Sequence, residues 1–234
     1  DEPALYWRMN EASGATTFIN SVASGAYAGT KVGTPSGVSA FGAVLDGAYW
    51  DFNGSSDYIT SSYTPYASGT SITFEAWVNR RSNSTEDVIF GSSSSTNSPR
   101  LSFASGAGEI VTFKPNGASG TGVTFTASGI AITNTWNHIA LTFDNSTNDV
   151  KFYLNGETPD STKSTSDDFH ADPGDFELAR SATSPNSYFD GKIAEVAVYE
   201  KVLNSTQIAN HYNSRTKYFS NPTPSASSEG GRLY

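Results

Sequence analysis

The chain has 234 residues, a formal charge of −9 and no cysteine. The missing thiols exclude disulfide staples, thiolate zinc sites and a cysteine nucleophile, and three scattered histidines suit a histidine-rich metal centre poorly. Fourteen basic residues against 23 acidic ones exclude nucleic acid as a partner, since nothing would drive counterion release from a phosphate backbone.

Thirty-five serines and 25 threonines, with aromatics at 13% and charged residues at only 16%, suit short strands and tight turns and suit helices badly. Such a surface relies on hydroxyls and amides, a composition common on extracellular, cell-surface and virion proteins. No apolar run reaches the ~18 residues of a membrane span, so membrane insertion is not expected. The sequence opens Asp1-Glu2-Pro3 without an initiator Met, which reads as a removed leader or a segment of something longer.

In chain order, strands are expected at 4–9, 47–53 and 57–61. At 72–79 the apolar set Ile72, Phe74, Ala76, Val78 falls on one face. Further strands are expected at 87–91, 100–104, 109–114 and 122–126. His138–Phe143 reads as a largely buried strand and Val150–Leu154 follows it; Asn155-Gly156 ends it with a strong hairpin signal, as both residues tolerate positive φ. The last strands are placed at 175–180 and 190–199. Turn signals every ~8–12 residues form the pattern of a β-sandwich. One helix is expected over 204–213: Asn204 as N-cap, Gln207 at the capping-box position, Leu203 and Ile208 as a hydrophobic staple. Residues 214–234, rich in Ser, Pro and Gly, read as a linker or docking arm with Tyr218, Phe219, Leu233 and Tyr234 as anchors. The organisation is thus one domain over 1–213 plus a tail.

Seven motifs then stand in order: Leu5-Tyr6-Trp7-Arg8-Met9-Asn10-Glu11, Asp51-Phe52-Asn53-Gly54-Ser55-Ser56-Asp57-Tyr58-Ile59, Phe74-Glu75-Ala76-Trp77-Val78, Trp136-Asn137-His138-Ile139-Ala140-Leu141-Thr142-Phe143-Asp144, Phe152-Tyr153-Leu154-Asn155-Gly156, Phe189 to Tyr199, and Val202 to Tyr212. Together they resemble the laminin-G-like domains of the concanavalin A-like lectin/glucanase superfamily, in its pentraxin-related branch. The resemblance covers residues 4–213. It implies an all-β fold: a two-sheet antiparallel jelly-roll sandwich, one sheet concave, with a short C-terminal helix packed on it. It does not imply one function, because such folds host lectins, enzymes and adhesion modules.

Three chemistries can be weighed. Glycoside hydrolysis needs two placed carboxylates. The Glu-x-Asp-x-x-Glu or Glu-x-Asp-x-Glu run that the resemblance leads one to seek is missing; Glu195 with Glu200, or the distant pair Glu75 and Glu109, are the nearest substitutes. Calcium needs several oxygen ligands. The loops matching the pentraxin-like site, 92–100 and 180–189, carry an arginine each and no carboxylate before Asp190, and a second family position is Ala194 instead of Asp. Asp46, Asn53 and Asp57 remain as calcium candidates, with Asn53-Gly54-Ser55 equally readable as a turn. Sugar hydroxyls suit amides, guanidinium forks and aromatic faces; the same two loops supply Asn97, Arg100, Arg180, Asn186 and Tyr188 as ligand-binding candidates, against their alternative reading as ordinary loop residues.

Trp7, Trp77 and Trp136 are assigned to the core, Trp50 beside Tyr49 to either the core or an exposed stacking platform, His138 to a structural role, His170 to a solvated acidic loop, and Arg80-Arg81 to a strand-end charge pair. The reading that results is a non-catalytic lectin-like module engaging a surface glycan, with no cofactor required. One alternative is a structural or decoration protein of a virion or cell-surface appendage, assembled through residues 214–234. The other is a polysaccharide hydrolase.

Overall fold

The computed structural model describes residues 1–22, 26–38, 48–66, 69–94, 99–106, 110–115, 122–126, 133–157, 159, 162–166, 174–182 and 187–219, and in the last stretch no side chain beyond Ser214. Strands run in chain order as β1 (Leu5–Trp7), β2 (Thr17–Phe18), β3 (Gly29–Val32), β4 (Ser36–Val38), β5 (Tyr49–Asn53), β6 (Tyr58–Ser61), β7 (Ile72–Arg80), β8 (Asp87–Ser92) and β9 (Arg100–Phe103). They continue as β10 (Ile110–Lys114), β11 (Val123–Thr126), β12 (Asn137–Asp144), β13 (Asp149–Leu154), β14 (Thr162–Ser164), β15 (Phe176–Leu178), β16 (Arg180–Ser181), β17 (Ser187–Tyr188) and β18 (Asp190–Tyr199), before the helix α1 (Ser205–Phe219).

Two antiparallel sheets form the sandwich. Sheet A has the order β14-β13-β12-β7-β18-β5-β4, and sheet B the order β11-β10-β9-β8-β15-β6-β3-β2. On one side β18 pairs with β7; on the other it takes β5 along residues 190–193 and β1 along 196–198. Period-two alternation sends Phe74, Ile139, Leu141, Phe143 and Val198 inward from sheet A to meet Phe90, Leu101, Phe103 and Phe113 from sheet B, all at most 1% exposed. Phe74 and Phe90 meet across the sheets with ring centroids 4.3 Å apart.

Trp50 is fully buried, not an exposed platform. Its indole lies against Gly37 on the neighbouring strand β4, where a Cβ would come within 2.5 Å of it, and Phe18 meets it edge-on at 4.8 Å. Trp7 sits between the sheets as expected. Trp77 and Trp136 are buried elsewhere, on the outer face of sheet A, where Tyr212 of α1 stacks on Trp77 at 5.5 Å. Arg80 is also not a surface charge: it is completely buried and paired with Asp87, tying β7 of sheet A to β8 of sheet B. Only Arg81 is exposed, between Asp51 and Asp190.

The helix begins as its sequence dictates. Asn204 N–H donates to Gln207 Oε1 at 2.9 Å, Gln207 N–H donates to Asn204 Oδ1 at 3.0 Å, and Leu203 and Ile208 are buried together. It ends later than expected, at Phe219, so residues 214–219 continue the helix. No Gly or Pro interrupts the chain before Pro222, and the residue preceding a proline is disfavoured in helix. The anchors Tyr218, Phe219, Leu233 and Tyr234 lie outside the described side chains. Asn155 and Gly156 adopt φ of 51° and 72°, the two positive values that the hairpin needs.

Candidate functional site

The described residues bring two groups of chemistry-bearing side chains together, one on the outer face of each sheet.

On sheet B the group grows from a break in alternation. Residues three apart on a regular strand face opposite sides. Ala179, between β15 and β16, takes a left-handed φ of 68°, and this brings Glu177 and Arg180 together, Arg180 Nη1 donating to Glu177 Oε1 at 2.6 Å. The guanidinium carbon lies 4.6 Å from the ring centre of Tyr58 and 6.0 Å from that of Tyr188, its partner across the β16–β17 ribbon. Glu86 extends the group: it accepts from Ser102 Oγ at 2.7 Å and Ser187 Oγ at 3.4 Å and faces Arg100 at 3.5 Å. Glu177 is 2% exposed, and its Oε2 has no hydrogen-bond partner. Burial pushes its carboxyl up to about 7, against the opposing pull of Arg180.

The fold therefore unites Arg100, Arg180 and Tyr188, three of the five residues marked from the sequence as ligand contacts. Asn97 and Asn186 lie outside the described residues. The loops looked free of carboxylates, yet each arginine meets one supplied by a neighbouring strand or its lead-in. Phe189 packs into the core beneath Tyr188.

On sheet A the group lies beneath α1. Glu75 on β7 and His138 on β12 point outward, and α1 lays His211 over them, its Nδ1 2.9 Å from Glu75 Oε2 and its Nε2 3.4 Å from Asp1 Oδ2. A β-bulge supplies the fourth member. Two residues of β18, Glu195 and Val196, oppose the single Ala76 of β7, and Glu195 adopts φ of 49°. The extra residue shifts the alternation, so Glu195 turns outward instead of entering the core and accepts a hydrogen bond from the Tyr6 hydroxyl. These residues, with Trp77, Tyr199 and Ser214, line a cavity of about 140 Å³. Burial holds His138 down to about 4, with Glu75 opposing and His211 reinforcing the shift. Burial first, then the charge of Glu75 and a hydrogen bond to it, raises the Tyr199 phenol.

Sequence reasoning missed this group, and it paired the carboxylates differently. Glu75 and Glu195 line one cavity, whereas Glu200 leaves it to accept from the Tyr63 hydroxyl at 3.1 Å. Glu109 lies outside the described residues. The polar alternation Thr73, Glu75 and Asn79 was a usable signal for an outward face; nothing local announced the bulge.

Of the calcium candidates, Asp46 lies outside the described residues. Asn53 Oδ1 accepts the backbone N–H groups of Ser55, Ser56 and Asp57 at 2.9–3.2 Å, the pattern of a turn, and Asp57 Oδ1 accepts that of Thr34 at 2.8 Å. Among the described residues no three His, Asp or Glu are arranged to hold a metal ion, and no helix is long and apolar enough to cross a membrane.

Residues 53–209 match the laminin-G-like family described as the concanavalin A-like lectin/glucanases superfamily. The chain belongs to this family. Sequence comparison with curated proteins finds no match. Among solved structures it is similar to domain 4 of AbnA, a GH43 extracellular arabinanase from Geobacillus stearothermophilus, in complex with arabinotriose: TM-score 0.64, 18% identity, 89% of this chain and 97% of that one. It is also similar to the binding domain of botulinum neurotoxin DC in complex with rat synaptotagmin II, with TM-score 0.66, 14% identity, and 92% and 52% of the two chains covered. A structure of botulinum neurotoxin type C, whose cell entry is described as dependent on two ganglioside molecules, gives TM-score 0.66 at 16% identity over 92% and 51%. The chain thus spans about half the length of the toxin structures it matches, and likeness at these identities concerns the fold.

Proposed function

We propose that this family member is a non-catalytic glycan-binding module acting at a cell exterior or surface, and that it meets saccharide on the outer face of sheet B around Arg180. The observation that carries this reading is the guanidinium held over Tyr58 and Tyr188 beside a buried carboxyl, Glu177, with one oxygen unpartnered. A fixed fork of donors, an acceptor, nearby serine hydroxyls and two aromatic rings are the groups that vicinal sugar hydroxyls and a sugar's apolar face require. The arabinotriose complex and the ganglioside-dependent toxin among its structural relatives agree with this chemistry.

A glycan array read at millimolar sensitivity tests it. The native chain should give a hit that Arg180→Ala weakens by about tenfold or more, the loss expected for a charged hydrogen-bonding contact. Arg81→Ala, on the other sheet, should leave that hit unchanged. A blank array from folded protein, or full binding by Arg180→Ala, rejects the proposal.

A further inference from the structure

We propose that the cavity beneath α1 is a separate site that binds a primary ammonium group, R–NH3+, between Glu75 and His138. It lies on the opposite face of the sandwich from Arg180 and does not depend on the glycan reading.

Two buried atoms point to a ligand. Glu75 and His138 are each 3% exposed, both line the cavity, and Glu75 Oε1 and His138 Nδ1 have no hydrogen-bond partner. Buried polar atoms are rarely left so, and a pair sharing one cavity asks for one guest. A carboxylate oxygen only accepts. His138 is neutral at neutral pH because burial holds it near 4, and with its proton on Nε2 its Nδ1 accepts as well. In that tautomer a guest that bridges the two atoms brings at least two donors. A hydroxyl carries one proton; a primary ammonium carries three on a single atom.

Charge and shape favour the same guest. Among the described residues the lining holds the carboxyl groups of Glu75 and Glu195 and no Lys or Arg, and the His211 ring already faces Glu75 through its other oxygen, Oε2. Tyr6, Trp77 and Tyr199 bring aromatic rings to the lining, with Trp77 stacked on Tyr212 and Tyr199 on His211. At about 140 Å³ the space takes a head group and not an oligosaccharide.

Such a group could come from a simple alkylamine or from an amino sugar. The intact chain is titrated with butylamine and with glucosamine, while the His138 imidazole signals are followed by NMR; tetramethylammonium and N-acetylglucosamine serve as controls. Both amines should move the His138 signals with Kd in the ~1–10 mM range, and both controls should bind about tenfold more weakly or not at all. Tighter binding of glucosamine assigns the site to an amino sugar, and tighter binding of butylamine to an alkylamine. Glu75→Gln should weaken either by about tenfold. If that variant does not fold, the competition on the native chain decides. Amines that leave His138 unmoved, or N-acetylglucosamine binding as well as glucosamine, overturn the proposal and leave a cavity for water alone.

Discussion

The two outer faces of the sandwich bury ionisable groups of opposite type under different cover. On sheet A the chain's own helix closes over a base, His138, and burial lowers it to about 4. On sheet B the β16–β17 ribbon, through Arg180, covers an acid, Glu177, and burial raises it to about 7. Desolvation favours whichever form is neutral, whatever the sign of the charge it removes. One face thus stores a base that resists protonation, and the other an acid that resists ionisation.

The largest expected effect comes from removing what both faces share. Arg80→Met strips the buried partner from Asp87, whose other oxygen accepts Asp190 N–H at 3.0 Å, and so loosens the β7–β8 tie between the sheets. Leaving that carboxylate unpaired should cost about 3–5 kcal/mol in denaturant unfolding and disturb both faces together. A loss confined to one face would show that the faces are not coupled through this pair.

Next in size are two opposing pH dependences. Unfolded His138 takes a proton near 6.5 and the folded residue only near 4, so stability is fully present above 6.5 and falls as pH drops through that window, by up to about 3 kcal/mol. Glu177 acts in reverse: its folded carboxyl holds a proton that the unfolded one releases near 4.5, so stability falls as pH rises from 4.5 to about 7, by at most about the same amount. The native profile between 4.5 and 6.5 should therefore be nearly flat. Glu177→Gln should turn it into a rise with pH and His138→Asn into a fall. Parallel profiles for all three proteins would refute the assignment of these groups.

The smallest effect isolates one face. Asn204→Ala removes the side-chain half of the capping box, the acceptor of Gln207 N–H, and should cost about 1 kcal/mol. Amide exchange should quicken in the first turn of α1 while β15 and β16 keep their protection. Faster exchange at Arg180 would mean that the helix also stabilises sheet B.

Strands with alternating apolar residues were legible in the sequence because their pattern is local. The 72–79 segment became β7, one residue longer, and the capping residues at 204 and 207 act as read. The strands β2, β3 and β4 escaped notice because their packing depends on what is missing: a Cβ at Gly29 would come within 2.6 Å of Ile59, and one at Gly37 would strike Trp50. The candidate sites divide in the same way. Arg180 and Tyr188 were found because both lie in the one short segment, 180–189, that the family resemblance singled out, and the structure pairs them across the β16–β17 ribbon. Glu75, His138, Glu195 and His211 meet only through pairing across the sheet, a bulge and a docked helix, none of which has a local signature. Glu177 was passed over because a regular strand would face it away from Arg180.

The position of β18 also governs how the molecule is made. The last strand among the described residues occupies the middle of sheet A, between β7 on one side and β5 and β1 on the other. A chain emerging from the ribosome holds those three strands with open edges until residues 190–199 arrive, a long-range closure that folds slowly. Over that interval the edges of β5 and β7 can capture another chain. The bulge at Glu195 interrupts regular pairing in the strand that ends this exposure, so the residue that lines the cavity also marks where the sandwich is sealed.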